Sequence, residues 1–246
     1  MNPTLLRAEL LRVVRNKRTV IFSAIFPAVF FLLFTSGGSS SGDAKAYLGL
    51  SAGAYVMSSM LTYAGTAALL SVAARISAER ATGWNRTLRL TGLRGRTYLL
   101  TKVVLSYAIA VPGLVIVIAL AASVRHVHLP GGRWVELVVS VVIGLAPIAA
   151  LGVWVGYIAK PDSMQVFLGL GGTLLAFAGG QFIPIGVFGS GLQHVLRALP
   201  SYWSTQAGRS VILGSWLGWE GVGVLAGWTL VFGACAARAY RRDSAR

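Results

Sequence analysis

Ser190 lies between Gly189 and Gly191, with His194 four residues further on. On a helix that spacing brings a hydroxyl within reach of an imidazole, the arrangement by which a base activates a nucleophile. No second, orienting acid is evident, and the flanking glycines read more simply as a break in the chain. An intramembrane hydrolase built on Ser190 and His194 is therefore the lesser alternative. His126 and His128 alternate along a loop, but two imidazoles without a nearby carboxylate or cysteine seldom make a metal site. They read as solvated loop residues, so neither a metal ligand nor a catalytic residue is assigned.

The remaining ionisable groups exclude further chemistries. The acids are Glu9, Asp43, Glu79, Glu136, Asp162, Glu220 and Asp243, and each falls in a loop or at the end of an apolar stretch. Ion-coupled transporters bury carboxylates or histidines at mid-membrane, so a secondary transporter or channel lacks its usual parts and stands only as an alternative. Lys17, Lys45, Lys102 and Lys160 follow Asn, Ala, Thr and Ala. No Gly-Lys pair exists to build a phosphate loop, and the chain is not expected to be an enzyme. Cys235, the single cysteine, reads as a small apolar filler.

The most unusual stretch is 75–102, where Trp84, Leu88, Leu90 and Leu93 stand among arginines between Gly83 and Gly92. An aromatic and apolar surface ringed with arginine is the composition of a protein-docking hot spot.

Six apolar stretches must position these residues: 19–35, 48–74, 103–124, 134–158, 164–185 and 216–237. Each approaches the 17–25 residues that cross about 30 Å of hydrocarbon. The chain is 55% hydrophobic and 12% charged, against roughly 25% charged in soluble domains. Its net charge of +15 would suit nucleic acid in a soluble protein, but the distribution points elsewhere. The regions 1–18, 75–102, around Lys160 and 238–246 carry 17 of the 22 basic residues and four of the seven acids. Basic loops stay in the cytoplasm, which places both termini inside a cell membrane as a multi-pass chain and leaves no role for nucleic acid. Residues 3–17 read as an amphipathic interfacial helix, Asn2 its cap and Pro3 its first turn. Pro27, Pro112 and Pro147 predict kinks. Gly49/Gly53, Gly152/Gly156, Gly223/Gly227 and the run Gly172, Ala176, Gly180 predict close helix packing, subunit contact included. The stretch 186–215 reads as two short helices ending near Pro200 that lie at or dip into the outer interface, with Tyr202, Trp203 and Trp216 at headgroup level. The fold expected is an all-α membrane domain over 1–246, with an elbow helix at 1–18, six spans and a re-entrant or interfacial pair before the last.

This layout resembles the permease subunits of ABC type-2 exporters, in the style of the small actinobacterial permeases of drug and antibiotic efflux. The likeness rests on the basic elbow, the order of spans, the inner loop Glu79-Arg80-x-x-Gly83-Trp84-x-x-x-Leu88-Arg89-x-Thr91, and Pro184, Pro200 and Tyr202 before the last span. It implies a separate cytoplasmic ATPase in two copies, which carries the ATP and magnesium, so that this chain holds no cofactor. It also implies a second permease chain, identical or a sister, in a bed of membrane lipid. The elbow and the 76–97 loop would be the transmission surface, with Glu79 and Arg80 as polar contacts, Trp84 and Leu88 as anchors, and Gly83 and Arg89 beside them. Cargo would pass between the two chains against the second and fifth spans, past Met57, Met60, Tyr63, Phe167, Phe177 and Phe182. The outward direction follows from the family, and an acid-poor interior favours a lipophilic or amphipathic cargo.

Overall fold

The computed structural model describes residues 17–36, 49–83 and 95–244, with side chains over 25–36, 49–83 and 97–243. Most of the expected elbow helix, and Trp84, Leu88 and Arg89, lie outside the described residues. The regular elements are helices: α1 (Lys17–Ser36), α2 (Ala52–Ala81), α3 (Gly95–Ser123), α4 (Gly131–Gly144), α5 (Ala146–Ile158) and α6 (Pro161–Val166). A π-helical turn, Phe167–Gly171, carries α6 directly into α7 (Gly172–Ala178). A 3-10 turn at Ile185–Val187 leads to α8 (Ser190–Arg197), α9 (Pro200–Leu213) and α10 (Gly218–Ser244).

Four helical runs among the described residues are long and apolar enough to cross a membrane: Ala52–Ala81, Thr97–Ser123, Gly131–Ile158 and Gly218–Asp243. The third of these is α4 and α5 together, bent at Leu145 with Pro147 in the first turn of α5. The helices overrun the apolar stretches at the Glu79 end of the bundle. The expected 75–102 loop is helical over its first seven and last eight residues, since Arg-Ile-Ser-Ala-Glu-Arg-Ala continues α2 and Gly-Arg-Thr-Tyr begins α3. The last span likewise runs on to Ser244 rather than stopping at 237. The fifth is shorter than expected. It ends at Ala178 instead of 185, because Gly180 turns the chain at φ +65°, a conformation that costs glycine nothing.

Helix α2 sits at the centre, against α1, α3, α5, α9 and the α6–α7 run. It is largely buried although it carries Ser58, Ser59, Thr62, Thr66 and Ser77, all buried. Small hydroxyls suit this place: Ser58 Oγ donates to the Tyr55 carbonyl at 2.8 Å and Thr62 Oγ1 to that of Ser58 at 3.0 Å. Each thus satisfies itself on its own helix and leaves a low surface for a neighbour. For Ser58 that neighbour is α9, whose Gly208 lies beside it, and further along α2 the close neighbour is α5. A Cβ on Gly152 would stand 2.7 Å from the Leu69 carbonyl oxygen, and one on Gly156 would stand 2.8 Å from Ile76 Cβ. The strip Gly223/Gly227 differs, since among the described residues nothing lies within 4 Å of either Cβ position and no helix packs against it. Gly152→Ala with Gly156→Ala should therefore cost about 1–3 kcal/mol through overpacking. Gly223→Ala with Gly227→Ala should stay within about 0.5 kcal/mol of the parent. Unfolding midpoints in one detergent test both, and equal losses would mean that the strip on α5 is not a packing surface.

Before the last span, the 3-10 turn at Ile185–Val187 and α8 are parted at Gly189 and end near Pro200, as expected, but Pro200 then opens a further helix, α9, as suits a residue without an N–H in a first turn. Helix α9 runs antiparallel to α4: Ser204 Oγ donates to the Gly144 carbonyl at 2.6 Å and Ser140 Oγ to that of Ala207 at 2.7 Å. At the other end of α9, Gly214 sits against Arg133. Tyr202 and Trp203, placed by the sequence at headgroup level, are instead buried with Leu225 of α10. Trp216 remains exposed.

Candidate functional site

At the end where α2 finishes, its last turns are held on several sides. Lys102 Nζ of α3 pairs with Glu79 Oε1 at 2.5 Å, and Tyr98 Oη donates to Glu79 Oε2 at 2.5 Å. Lys102 is buried and its ammonium lies 5.2 Å from the Tyr98 ring centroid. Arg80 Nε meets Asp243 Oδ1 of α10 at 3.0 Å, while Nη1 donates to the Gly156 carbonyl of α5 at 3.3 Å. Ser77 Oγ donates to the Ala159 carbonyl at 2.9 Å. Three helices thus grip α2 just before Thr82 and Gly83 close it, with Gly83 at φ +71°. The sequence reading placed Glu79 and Arg80 on a partner-facing loop. The structure places both on α2 with their charges engaged inside the chain. Tyr98, Lys102 and Asp243 were missed as partners, although the scarcity of acids was a signal: a chain with seven carboxylates and 22 basic groups seldom leaves a carboxylate near its helices without a cation.

A second feature is a cavity of about 670 Å³ between α1, α2 and the α6–α7 run. Its walls include Phe26, Tyr63, Thr66, Leu70, Gln165 and Thr173, and among the described residues no Asp, Glu, Lys, Arg or His lines it. The π-helical turn forms one side through Leu168 and Gly169, and such turns recur at functional positions. Above the cavity the rings converge on Phe182, which lies 5.3 Å from Tyr63, 5.4 Å from Phe177 and 6.1 Å from Phe30 between centroids. Phe26 reaches Tyr63 at 5.4 Å. Tyr63, Phe177 and Phe182 are thus brought together. Met57 and Met60 are not; both are buried in the core, and Phe167 packs on the cluster of Ala73, Val155 and Met164.

A third group was read as a loop charge. Arg209 of α9 is 3% exposed. Its Nη2 donates to the Gly180 carbonyl at 2.7 Å and to Ser59 Oγ at 3.0 Å, and its guanidinium lies 4.2 Å over the Tyr55 ring. Tyr55 Oη donates to the same carbonyl at 3.2 Å. The turn at Gly180 therefore presents one carbonyl to α2 and α9 together. The Ser190–His194 pair has another geometry than a hydrolase needs. His194 Nδ1–H donates to the Ser190 carbonyl at 2.7 Å, so the position that an orienting acid holds in a triad is filled by main chain. Among the described residues no three His, Cys, Asp or Glu side chains gather where a metal would sit.

The helical architecture agrees with comparison to known proteins. A family model described as ABC-2 family transporter protein matches residues 38–238. The chain belongs to this family. It is also 26% identical over 226 residues to a chain of Bacillus subtilis (strain 168) that carries the name transport permease YvfS, covering 92% of this chain and 91% of that one. As a member of the ABC-2 family the protein is a multi-pass membrane permease of an ABC transporter. The family normally pairs with an ABC ATPase subunit.

Proposed function

We propose that this chain is the permease of an ATP-driven exporter. It spans the cell membrane six times with both termini inside, and moves a lipophilic or amphipathic compound outward, a drug or lipid-like molecule among them. Two ATPase subunits, carrying ATP and magnesium, would power a pair of permease chains. The observation that carries the cargo class is the cavity of about 670 Å³. Its size suits a drug-sized ligand, its walls offer rings and hydroxyls, and no fixed charge on them demands a counter-ion. In this reading Trp84, Leu88 and Arg89 dock on the ATPase. Glu79, Arg80 and Gly83 set the direction in which that loop leaves α2, so that a push on the loop reaches α3, α5 and α10 together.

The test is co-expression with a partner ATPase, followed by co-purification and ATP-dependent uptake of a lipophilic dye into inverted vesicles. Loss of an anchor aromatic costs 2 kcal/mol or more at a hot spot, so Trp84→Ala should weaken retention of the ATPase by roughly 30-fold. Tyr63→Ala should change dye transport with the ATPase still bound. Full retention in Trp84→Ala together with ATP-independent transport would sink the exporter reading.

A further inference from the structure

A pocket of about 360 Å³ opens between α5 and α10 at the Glu79 end, away from the uncharged cavity. Arg80, Arg238 and Arg242 line it with Asp243 as the one acid, and Trp154 and Tyr157 form its apolar wall. Arg80 already holds Asp243 at 3.0 Å. Arg238 and Arg242 are exposed, and no carboxylate among the described residues pairs with either. Among the described residues the pocket thus carries a surplus of positive charge, next to aromatic side chains of the kind that sit at a membrane interface.

The surface continuing from it has a matching form. Arg242, Arg238, Ala234, Val231, Gly227 and Gly223 follow one another at spacings of three or four along α10, and all are exposed. They therefore form one straight stripe, basic at one end and nearly free of side chain at the other. At 1.5 Å per residue the part from Arg238 to Gly223 is about 22 Å long, close to the reach of a membrane acyl chain. Beside it, Trp154 stacks on Phe232 at 5.8 Å and Phe232 lies 4.9 Å from Trp228, giving the shallow channel an aromatic bank.

We infer that this is a binding site for one anionic phospholipid, its phosphate held by Arg238 and Arg242 and one acyl chain lying along the glycine end of α10. Guanidinium forks match phosphate oxygens in pairs, and basic pockets between membrane helices are where anionic headgroups lodge. The apolar channel is what commits the site to a lipid rather than to free phosphate. The inference stands on the membrane placement of α5 and α10 and is independent of what the permease carries.

The test is native mass spectrometry of the purified, delipidated chain, titrated with phosphatidylglycerol, with phosphatidylcholine of the same acyl chains, and with sodium phosphate alone. The parent should retain one phosphatidylglycerol per chain. At about a fivefold gain for each of two arginines, its preference over phosphatidylcholine should be roughly 30-fold. Arg238→Gln with Arg242→Gln should abolish the preference while leaving the unfolding midpoint in phosphatidylcholine unchanged. Gly227→Leu should weaken both lipids by blocking the channel. An undiminished preference in the double arginine variant overturns the proposal. So does equal protection by sodium phosphate, which would make the ligand a free anion. Dissociation of a dimer by Gly227→Leu with lipid retention intact would assign the stripe to a second copy of the chain, and overturns it too.

Discussion

Lys102→Met is expected to destabilise the protein by about 3–5 kcal/mol, the usual result of removing one partner from a buried ion pair. Lys102 is 1% exposed in its side chain and Glu79 14%, so the carboxylate left behind cannot recover its loss from water. It keeps the Tyr98 hydroxyl, which supplies one hydrogen bond but no positive charge. The pair itself contributes far less than this figure, because two desolvation penalties offset most of its attraction. Glu79→Leu combined with Lys102→Met should therefore return to within about 1 kcal/mol of the parent, or exceed it. A double-mutant cycle on unfolding in detergent measures the difference. If the double variant is as unstable as the single one, the pair is not the cause. The cycle also separates stability from transmission. A double variant that folds well yet hydrolyses ATP without transport would place the pair in the aiming of the loop beyond Gly83.

Much of the bundle was legible because lipid demands long apolar helices, and the runs beginning near Ala52, Gly131 and Gly218 could hardly be anything else. The ends were not legible from apolar content. Arg75 to Ala81 and Gly95 to Lys102 are too polar to be counted within a span, yet they are helical, with Glu79 meeting Lys102 across α2 and α3 and Arg80 meeting Asp243 of α10. Apolar content failed in the opposite sense at 179–185. Gly-Gly-Gln-Phe-Ile-Pro-Ile is hydrophobic enough to extend a span, but Gly180 turns the chain and Gln181 is buried there.

The candidate surfaces divide in the same way. Tyr63, Phe177 and Phe182 were reachable from composition, since large rings on the second and fifth spans had to meet something. Met57 and Met60 were not separable from them, because α2 is covered on nearly every side and its sequence carries no apolar stripe to tell core from cavity. Arg209 was hidden by the polarity of its own helix. Pro-Ser-Tyr-Trp-Ser-Thr-Gln-Ala-Gly-Arg reads as an outer loop under a rule that expects membrane helices to be apolar. In α9 Ser204 turns to the Gly144 carbonyl of α4, and Arg209 reaches Ser59 and Tyr55 of α2 and the Gly180 carbonyl.

That charge leads to the second large effect, in which a conservative substitution does more harm than a drastic one. Arg209 is buried, and no carboxylate among the described residues pairs with it. It is supported by the Gly180 carbonyl, Ser59 and the face of Tyr55, and its Nε has no hydrogen-bond partner. Arg209→Met removes the donated bonds, worth about 1.5–3 kcal/mol each at a charged donor, but it also removes an ion whose burial costs several kcal/mol. The carbonyl keeps Tyr55 Oη, so the net loss should be only about 1–2 kcal/mol, less than one charge-assisted bond plus the stacking it accompanied. Arg209→Lys retains the full desolvation penalty. Its compact, strongly hydrated ammonium cannot lie flat over Tyr55 or fork between two acceptors, and a loss of about 3 kcal/mol or more is expected, the range seen for a buried charge deprived of its partner. Unfolding midpoints of the two variants, with protease cleavage near 180 as a second measure of the α7–α9 contact, decide the order. Should Arg209→Met prove the less stable, the hydrogen bonds outweigh the charge. The polar lining of α9 would then solvate a guanidinium nearly as well as water does, and the cost of its burial would no longer limit where this helix can sit in the membrane.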